Sequence, residues 1–317
     1  MYKKISVLFI FGIIAVMLIG CGEEDSDNVV IGTAGSSGTY YAVGSGMSDI
    51  INKNSDINSV SQGTDGATEN VRLVNSGEID IGFGNWDALT FGYEGTEDFD
   101  EEQNIVELMS LYRSAGQMAV KEDSGIEDYE DLEGKKINLG PKGSTITNMS
   151  EIILEYHGID IEDDIDAYYL AFDEGGTKLQ DNDLDGTFYV AGVPTSGLID
   201  LSTSSDIRLL TIEDEVIDEI TDEYPYYEKV TIPADTYEGV DYDVDSLQLW
   251  TSLMVSPDMS DETAYEVVET LMDNVEEFQE VHSVGEDIKL ENAAKSPIPL
   301  HPGAEKYYEE QDVLDED

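Results

Sequence analysis

The feature that most constrains this chain is a repeated order of short apolar strand, glycine-rich turn and helix. Val29–Ile31 is a short apolar run, the turn Gly32–Thr39 follows it, and apolar residues then recur at helical spacing. The same order returns at Lys136–Leu139, which is followed by the turn Gly140–Ser144 and a second helical pattern. Strands that alternate with helices form parallel-leaning sheets, so the sequence predicts an α/β fold.

Two long extended runs, Leu108–Val120 and Leu247–Val255, lie far apart in the sequence. If they pair, the chain leaves a first lobe along one run and returns to it along the other. This arrangement predicts two lobes joined by two crossing segments, with a ligand cleft between them. We therefore predict that residues 29–115 and 250–317 form lobe 1 and that residues 116–249 form lobe 2.

The start of the chain has the composition of an export signal. Two lysines precede the apolar run Ile5–Ile19, which is shorter than the roughly 20 residues of a membrane-spanning helix. The run ends at Cys21, the one cysteine of the chain, in a pattern typical of a bacterial lipobox. We predict a lipoprotein signal peptide at residues 1–20, a polar tether at residues 21–28 and an extracytoplasmic protein that a lipid on Cys21 anchors to the membrane. A transmembrane anchor is the alternative.

The charge of the chain is extreme, with 71 Asp and Glu against 15 Lys and Arg and a formal net charge of −56. Such a charge repels phosphate, which excludes nucleic-acid binding. At about 1 M salt the Debye length is only ~3 Å, so we interpret the acid excess as the adaptation of a halophile's acidic proteome.

A calcium buffer is the rival interpretation of this acid excess. The segment Asp181–Gly186 opens like an EF-hand loop, but Gly192 stands where that loop needs a bidentate Glu, and a strand is predicted at Thr187–Val190. One Cys and three scattered His predict no metal site and no cofactor.

Two glycine- and serine-rich turns, Gly35–Tyr40 and Gly140–Thr147, are candidate anion sites. A helix N-terminus offers about four unpaired N–H groups and the positive end of the helix dipole. Neither turn has the Lys-Ser/Thr pair of a phosphate-hydrolysing P-loop, and an ordinary helix cap is the alternative for each. The candidate ligand contacts in the two turns are Ser36, Ser37, Thr39, Tyr40, Ser144, Thr145 and Thr147.

Four further residues are candidates because of their positions. Asn85 ends a predicted strand with an amide donor and acceptor, and Trp86 is either a cleft wall or a core residue. Gly192 follows a strand at the end where open α/β sheets bind ligands. Arg113 lies in the first long run with no acid close in sequence, and arginine is the best partner for a carboxylate. Without an arginine, the donors of the turns must hold an anion.

The chain resembles the TAXI-type solute receptors of TRAP transporters. The resemblance lies in an ordered set of motifs that covers nearly all of the chain after the predicted signal peptide. The opening segment reads Ile-Gly-Thr-Ala-Gly-Ser-Ser-Gly-Thr-Tyr-Tyr, which looks like the family's first signature. The matching segments are Ile31–Tyr41, Thr68–Leu73, Ser76–Asp80, Asp131–Lys136, Gly140–Ser144, Phe188–Pro194, Tyr224–Tyr226, Ile232–Ala234 and Pro297–Tyr308.

The resemblance implies a two-lobed, type II-like periplasmic-binding-protein fold and no reaction. It implies a substrate-binding lipoprotein that delivers a small organic anion, of the dicarboxylate, 2-oxoglutarate or glutamate class, to the membrane subunits of a TRAP permease. A ligand-sensing subunit of a signalling system and an enzyme on the same scaffold are the alternatives.

The chain departs from the family pattern at three places in the expected cleft. Asn85 stands where the family usually has Gln, and the second glycine turn reads Gly143-Ser-Thr-Ile146 where the family usually has Gly-Ser-Gly-Thr. The family's Gly-His-Pro becomes Gly192-Val-Pro194, which adds Val193 to the candidate ligand contacts.

Overall fold

The computed structural model describes residues 28–35 and 38–314, so the predicted leader, Cys21, Ser36 and Ser37 lie outside the described residues. The strands are β1 Asn28–Gly32, β2 Asn58–Gln62, β3 Ile81–Asn85, β4 Val106–Lys121, β5 Lys136–Asn138, β6 Asp166–Tyr168, β7 Gly186–Ala191, β8 Ile207–Leu209, β9 Glu228–Ile232 and β10 Val244–Val255. The helices are α1 Thr39–Asn54, α2 Ala67–Ser76, α3 Trp86–Glu94, α4 Thr145–Tyr156, α5 Phe172–Gln180, α6 Ser196–Ser204, α7 Asp214–Glu223, α8 Asp261–Asp273, α9 Val275–Gln279, α10 Leu290–Ala293 and α11 Pro302–Glu310.

The described strands form one sheet in the order β2-β1-β3-β10-β4-β7-β5-β6, with β8 beside β4 and β9 beside β10. The long strands β4 and β10 are antiparallel at its centre, with Leu253 opposite Met109 and Trp250 opposite Arg113. The two extended runs pair with each other, which is the condition on which the two-lobe prediction rested. On the outer sides, β1 runs parallel to β2 and β3, and β5 runs parallel to β6 and β7.

Separate hydrophobic clusters pack on the two sides of the central strand pair. One cluster includes Ile31 on β1 and Leu271 on α8, and another includes Ile153 on α4 and Ile220 on α7. The strand β4 contributes buried side chains to both clusters, so it passes from one packed unit into the other. The lobe boundaries predicted at residues 115 and 249 stay a prediction.

Two features, a membrane-spanning helix and a cluster of metal-ligating side chains, are absent from the described residues. Within residues 28–35 and 38–314, no helix combines the length and the apolar composition needed to cross a bilayer. In the same residues, no group of three or more His, Cys, Asp or Glu side chains is arranged to hold a metal ion. The EF-hand-like segment Asp181–Gly186 leads directly into the strand β7, as the sequence predicted.

Asn70 on α2 ties together the ends of β1 and β3. The side chain is fully buried, and its Nδ2 lies 2.7 Å from the carbonyl oxygen of Thr33 and 2.8 Å from that of Phe83. It also donates to the carbonyl of Gly32 at 3.2 Å. Gly32 has no room for a side chain, because a Cβ there would lie 2.3 Å from the Ile79 side chain. The hydrogen bonds of Asn70 hold the exit of β1, and the turn that follows it, against α2.

We expect Asn70→Ala to lower the free energy of unfolding by about 2–3 kcal/mol, because the change removes a buried amide that donates to three backbone carbonyl groups. Urea denaturation at constant ionic strength measures the loss. Asn75→Ala, on the exposed face of the same helix, is the matched control and should cost less than about 1 kcal/mol. Equal losses in the two variants would contradict the role given to Asn70.

Candidate functional site

A cavity of about 470 Å³ opens where the parallel strands on both sides of the sheet reach their carboxyl ends. This volume is in the range of small-molecule sites, and open α/β sheets place their ligands at this end of the strands. A second groove, of about 550 Å³, lies near the start of β1 and has mainly polar residues in its wall. We take the first cavity as the candidate site because the starts of several helices meet there.

Six helices begin at the wall of this cavity, which we call the cleft. The helices α1, α2 and α3 follow β1, β2 and β3, whereas α4, α5 and α6 follow β5, β6 and β7. The N-cap residues of all six line the cleft. They are Gly38, Gly66, Asn85, Ser144, Ala171 and Thr195. Each N-terminus presents N–H groups and a partial positive charge, so the two sets of helices together form an electropositive backbone surface.

Most of these helix starts are not capped by their own N-cap side chain. Only Ser144, among the six, accepts a hydrogen bond from its own helix, from the N–H of Thr147 at 3.3 Å. Gly38, Gly66 and Ala171 have no side-chain oxygen that could do so. Backbone donors at the cleft therefore stay available to a ligand, which is the arrangement that binds anions.

Five of the predicted contacts line the cleft, namely Thr39, Tyr40, Asn85, Ser144 and Thr145. Tyr40 and Asn85 are joined, since the tyrosine hydroxyl donates to the amide oxygen. The Asn85 Nδ2 in turn donates to the Thr251 hydroxyl at 3.0 Å. The structure thus brings the first turn, the end of β3 and the start of α4 together in one wall.

Four predicted contacts lie outside the cleft wall. The Trp86 Nε1 donates to the hydroxyls of Ser110 at 3.1 Å and Ser252 at 3.0 Å, so this indole belongs to the packed junction behind the cleft. The Thr147 hydroxyl is turned back onto the carbonyl of Pro141 at 2.6 Å. The remaining two are Gly192, which packs against Val284, and Val193, which packs onto a neighbouring hydrophobic cluster.

Arg113 also lies outside the cleft wall, because its guanidinium already has a partner. Its Nη2 is 2.7 Å from Asp287 Oδ1 and its Nε is 3.1 Å from Asp287 Oδ2, and the group sits 5.4 Å from the Trp250 ring. Asp287 lies 174 residues further along the chain, so no local inspection of the sequence could find this pair. Ser36 and Ser37 lie outside the described residues, and their contacts stay a prediction.

Several cleft residues were missed by the sequence analysis. Lys142 is the cation of the described cleft wall, and its Nζ lies 4.5 Å from the Tyr169 ring. Its position inside the second glycine turn was a signal that could have revealed it. Asp65 and Asp173 also line the cleft, and these three charged side chains are exposed. Tyr112 lines the cleft from β4 and is fully buried.

A buried acid behind the cleft joins helices from the two sides of the sheet. Asp87 on α3 accepts hydrogen bonds from the Thr145 hydroxyl at 2.9 Å and from Asn148 Nδ2 at 3.3 Å, both on α4. It also accepts from the N–H of Ala88 at 2.7 Å. Burial raises the pKa of Asp87 to about 6, and these hydrogen bonds, which favour the charged form, limit the rise.

This shift has a defined effect on stability. The pKa rises from an ordinary value of 3.8 to about 6, so the folded state holds a proton that the unfolded state has released. The stabilisation that comes from this bound proton is complete below the unfolded-state pKa of 3.8, and it is lost as the pH rises through the folded-state pKa of about 6. From about pH 4 to pH 7, we expect the stability of Asp87→Asn to rise by about 2–3 kcal/mol relative to the natural protein.

Urea denaturation of the natural protein and of Asp87→Asn, from about pH 4 to about pH 7, measures the difference in their free energies of unfolding. The effects of the other acids are common to both proteins and cancel in this difference. Asp56→Asn removes an exposed acid and controls for the change in net charge. A pH-independent difference for Asp87→Asn would contradict the assignment.

The comparison with solved structures supports the architecture. A binding-protein component of an ABC phosphonate transporter from Pseudomonas aeruginosa has a TM-score of 0.56 at 9% identity, over 83% of this chain and 80% of that chain. A protein from Bordetella bronchiseptica has a TM-score of 0.56 at 16% identity, over 83% and 76% of the two chains. A structure from a study of glutathione import by Streptococcus mutans has a TM-score of 0.53 at 12% identity, over 81% and 93%.

At these identities the likeness shows the fold alone, and the predicted two-lobed binding-protein fold is confirmed. A sequence model of the NMT1-like family matches residues 31–311, which is most of the chain and includes every described cleft residue. The chain belongs to the NMT1-like family.

Proposed function

We propose that this protein is an extracytoplasmic solute-binding protein that captures a small organic anion and presents it to a membrane transporter. The observation that carries the proposal is the meeting of six helix N-termini at one cavity, three from each side of the central strand pair. The binding-protein component of the phosphonate transporter named above shares this fold, and its part in phosphonate transport is a property of that protein. Binding without reaction is the function that such a donor-lined cleft supports.

The energetics of the cleft are adequate for an anion even without an arginine. A micromolar complex corresponds to about −8 kcal/mol. Hydrogen bonds to a charged group contribute roughly 1.5–3 kcal/mol each, so several N–H and hydroxyl donors together approach this figure before the cost of ordering the partners. Thr39, Ser144 and Thr145 lie at the helix starts where such donors are found, and Lys142 adds a positive charge.

We propose a dicarboxylate, 2-oxoglutarate or glutamate as the ligand class. The cavity volume of about 470 Å³ suits a molecule of this size. The wall has one cation, Lys142, and two acids, Asp65 and Asp173, so most of the attraction for a carboxylate must come from the backbone. The two carboxylates would also accept hydrogen bonds from the ammonium group of an amino acid such as glutamate.

Purified protein titrated calorimetrically with 2-oxoglutarate, glutamate and succinate, each at about 0.15 M and about 1 M KCl, tests the proposal. We expect saturable one-to-one binding of at least one acid. Lys142→Gln should weaken that binding about two- to fivefold at the lower salt and less at the higher salt, because the lysine is exposed.

Lys306→Gln is the matched control, since this exposed lysine also lies over a tyrosine ring, 4.9 Å from that of Tyr265, but outside the cleft. It should leave the affinity unchanged. Flat titrations of a protein that circular dichroism shows to be folded would contradict the proposed ligand class.

We further propose that the transporter is a TRAP-type permease and that a lipid on Cys21 holds the protein at the membrane. The support is the ordered set of sequence motifs and the lipobox pattern. Copurification of the tagged protein with its membrane partner, followed by mass spectrometry, tests both points. Recovery of ATPase subunits would indicate an ABC transporter, and recovery of a histidine kinase would indicate a sensor. An unmodified Cys21 in the mature protein would contradict the anchor.

A further inference from the structure

The wall of the cleft contains a buried hydroxyl group that has no partner. Tyr112 is fully buried on the central strand β4, and its Oη lies beside the Thr251 hydroxyl without forming a hydrogen bond of normal geometry with the protein. Six buried side-chain polar atoms in the described part of the chain have no partner, and the Tyr112 hydroxyl is the one that belongs to a cleft residue. Native proteins seldom leave such groups unpaired, so each one calls for an explanation.

The polar groups around Tyr112 are already paired with one another. Thr251 lies beside it, but the Thr251 hydroxyl is 3.1 Å from the Ser114 hydroxyl and accepts from Asn85 at 3.0 Å. The Asn85 oxygen accepts from the Tyr40 hydroxyl. None of these hydrogen bonds uses the Tyr112 hydroxyl, which is left as a donor for a molecule in the cleft.

The chemistry of this part of the cleft favours an uncharged partner for Tyr112. The side chains of the network, Tyr40, Asn85, Ser114 and Thr251, are neutral, whereas the charged cleft residues are exposed. Burial also raises the pKa of Tyr112 above its usual value, which keeps the hydroxyl protonated and able to donate. A buried donor with no charged group beside it suits a keto, hydroxyl or amide oxygen.

We propose that the Tyr112 hydroxyl donates a hydrogen bond to an uncharged oxygen of the bound solute. The cleft then selects organic anions that carry a keto, hydroxyl or amide oxygen over otherwise identical anions that lack it. A site built to hydrogen-bond a polar group rejects the analogue without that group, because its own buried polar atom is then unpaired. This inference rests on the proposed function and names the specificity of the same cleft.

Pairs of acids that differ by one oxygen test this inference. The probes are 2-oxoglutarate with glutarate, and L-malate with succinate, titrated into the purified protein and into Tyr112→Phe. In the natural protein, at least one pair should show a preference of about tenfold or more for the acid with the extra oxygen. Tyr112→Phe should lose most of that preference and should bind the simpler acid with an affinity within about twofold of the natural protein.

Tyr227→Phe is the matched control. The Tyr227 hydroxyl is also buried and unpaired, but Tyr227 is not a cleft residue, so its removal should leave the preference intact. Neither variant loses a hydrogen bond of the free protein, so the melting temperature of each unliganded variant should be no lower than that of the natural protein.

The outcomes separate the two proposals. Equal affinities for both members of each bound pair in the natural protein, or a preference that survives in Tyr112→Phe, would overturn the role of Tyr112 and leave the receptor function standing. If none of the four acids binds to the folded natural protein, this inference fails, and the proposed ligand class fails with it when glutamate does not bind either.

Discussion

The antiparallel pairing of β4 with β10 is the constraint on which the cleft depends. These two strands form the centre of the sheet, and each βα unit is added to one side of the pair or to the other. Because the pair reverses direction between the two sides, the carboxyl ends of both sets of parallel strands reach the same cavity. Six helix N-termini therefore face a single space, an arrangement that no one βα unit could produce.

The local field in the cleft opposes the charge of the whole chain. The protein carries a net charge of −56, which disfavours the approach of an anion at long range. Concentrated salt screens this repulsion over a few ångströms, whereas hydrogen bonds from backbone N–H groups act at contact distance and are affected much less. An acidic protein can therefore bind an anion provided that its donors are backbone groups, and the helix starts of the cleft supply them.

The shortage of cations also shapes the buried acids. Glu107 on β4 accepts hydrogen bonds from the hydroxyls of Ser110 at 2.8 Å and Ser296 at 2.5 Å, and burial raises its pKa to about 7. Asp87 likewise has hydroxyl, amide and backbone donors as partners. Both acids join segments that are distant in sequence, and neither uses a lysine or arginine to do so. Hydroxyl and amide groups hold these junctions in a chain whose few cations lie mostly at the surface.

The sequence by itself determined the α/β class, the two long extended runs and the turns that open the cleft. These features follow from local periodicity and from glycine and serine at the ends of strands, which act over a few residues. The tertiary structure decided which side chains meet in the cleft. It paired the two long runs, joined Arg113 to Asp287, moved Trp86 behind the wall and placed Tyr112 in it. Such contacts join residues far apart in the chain, and their partners are chosen by packing, burial and charge in three dimensions, which no local pattern encodes.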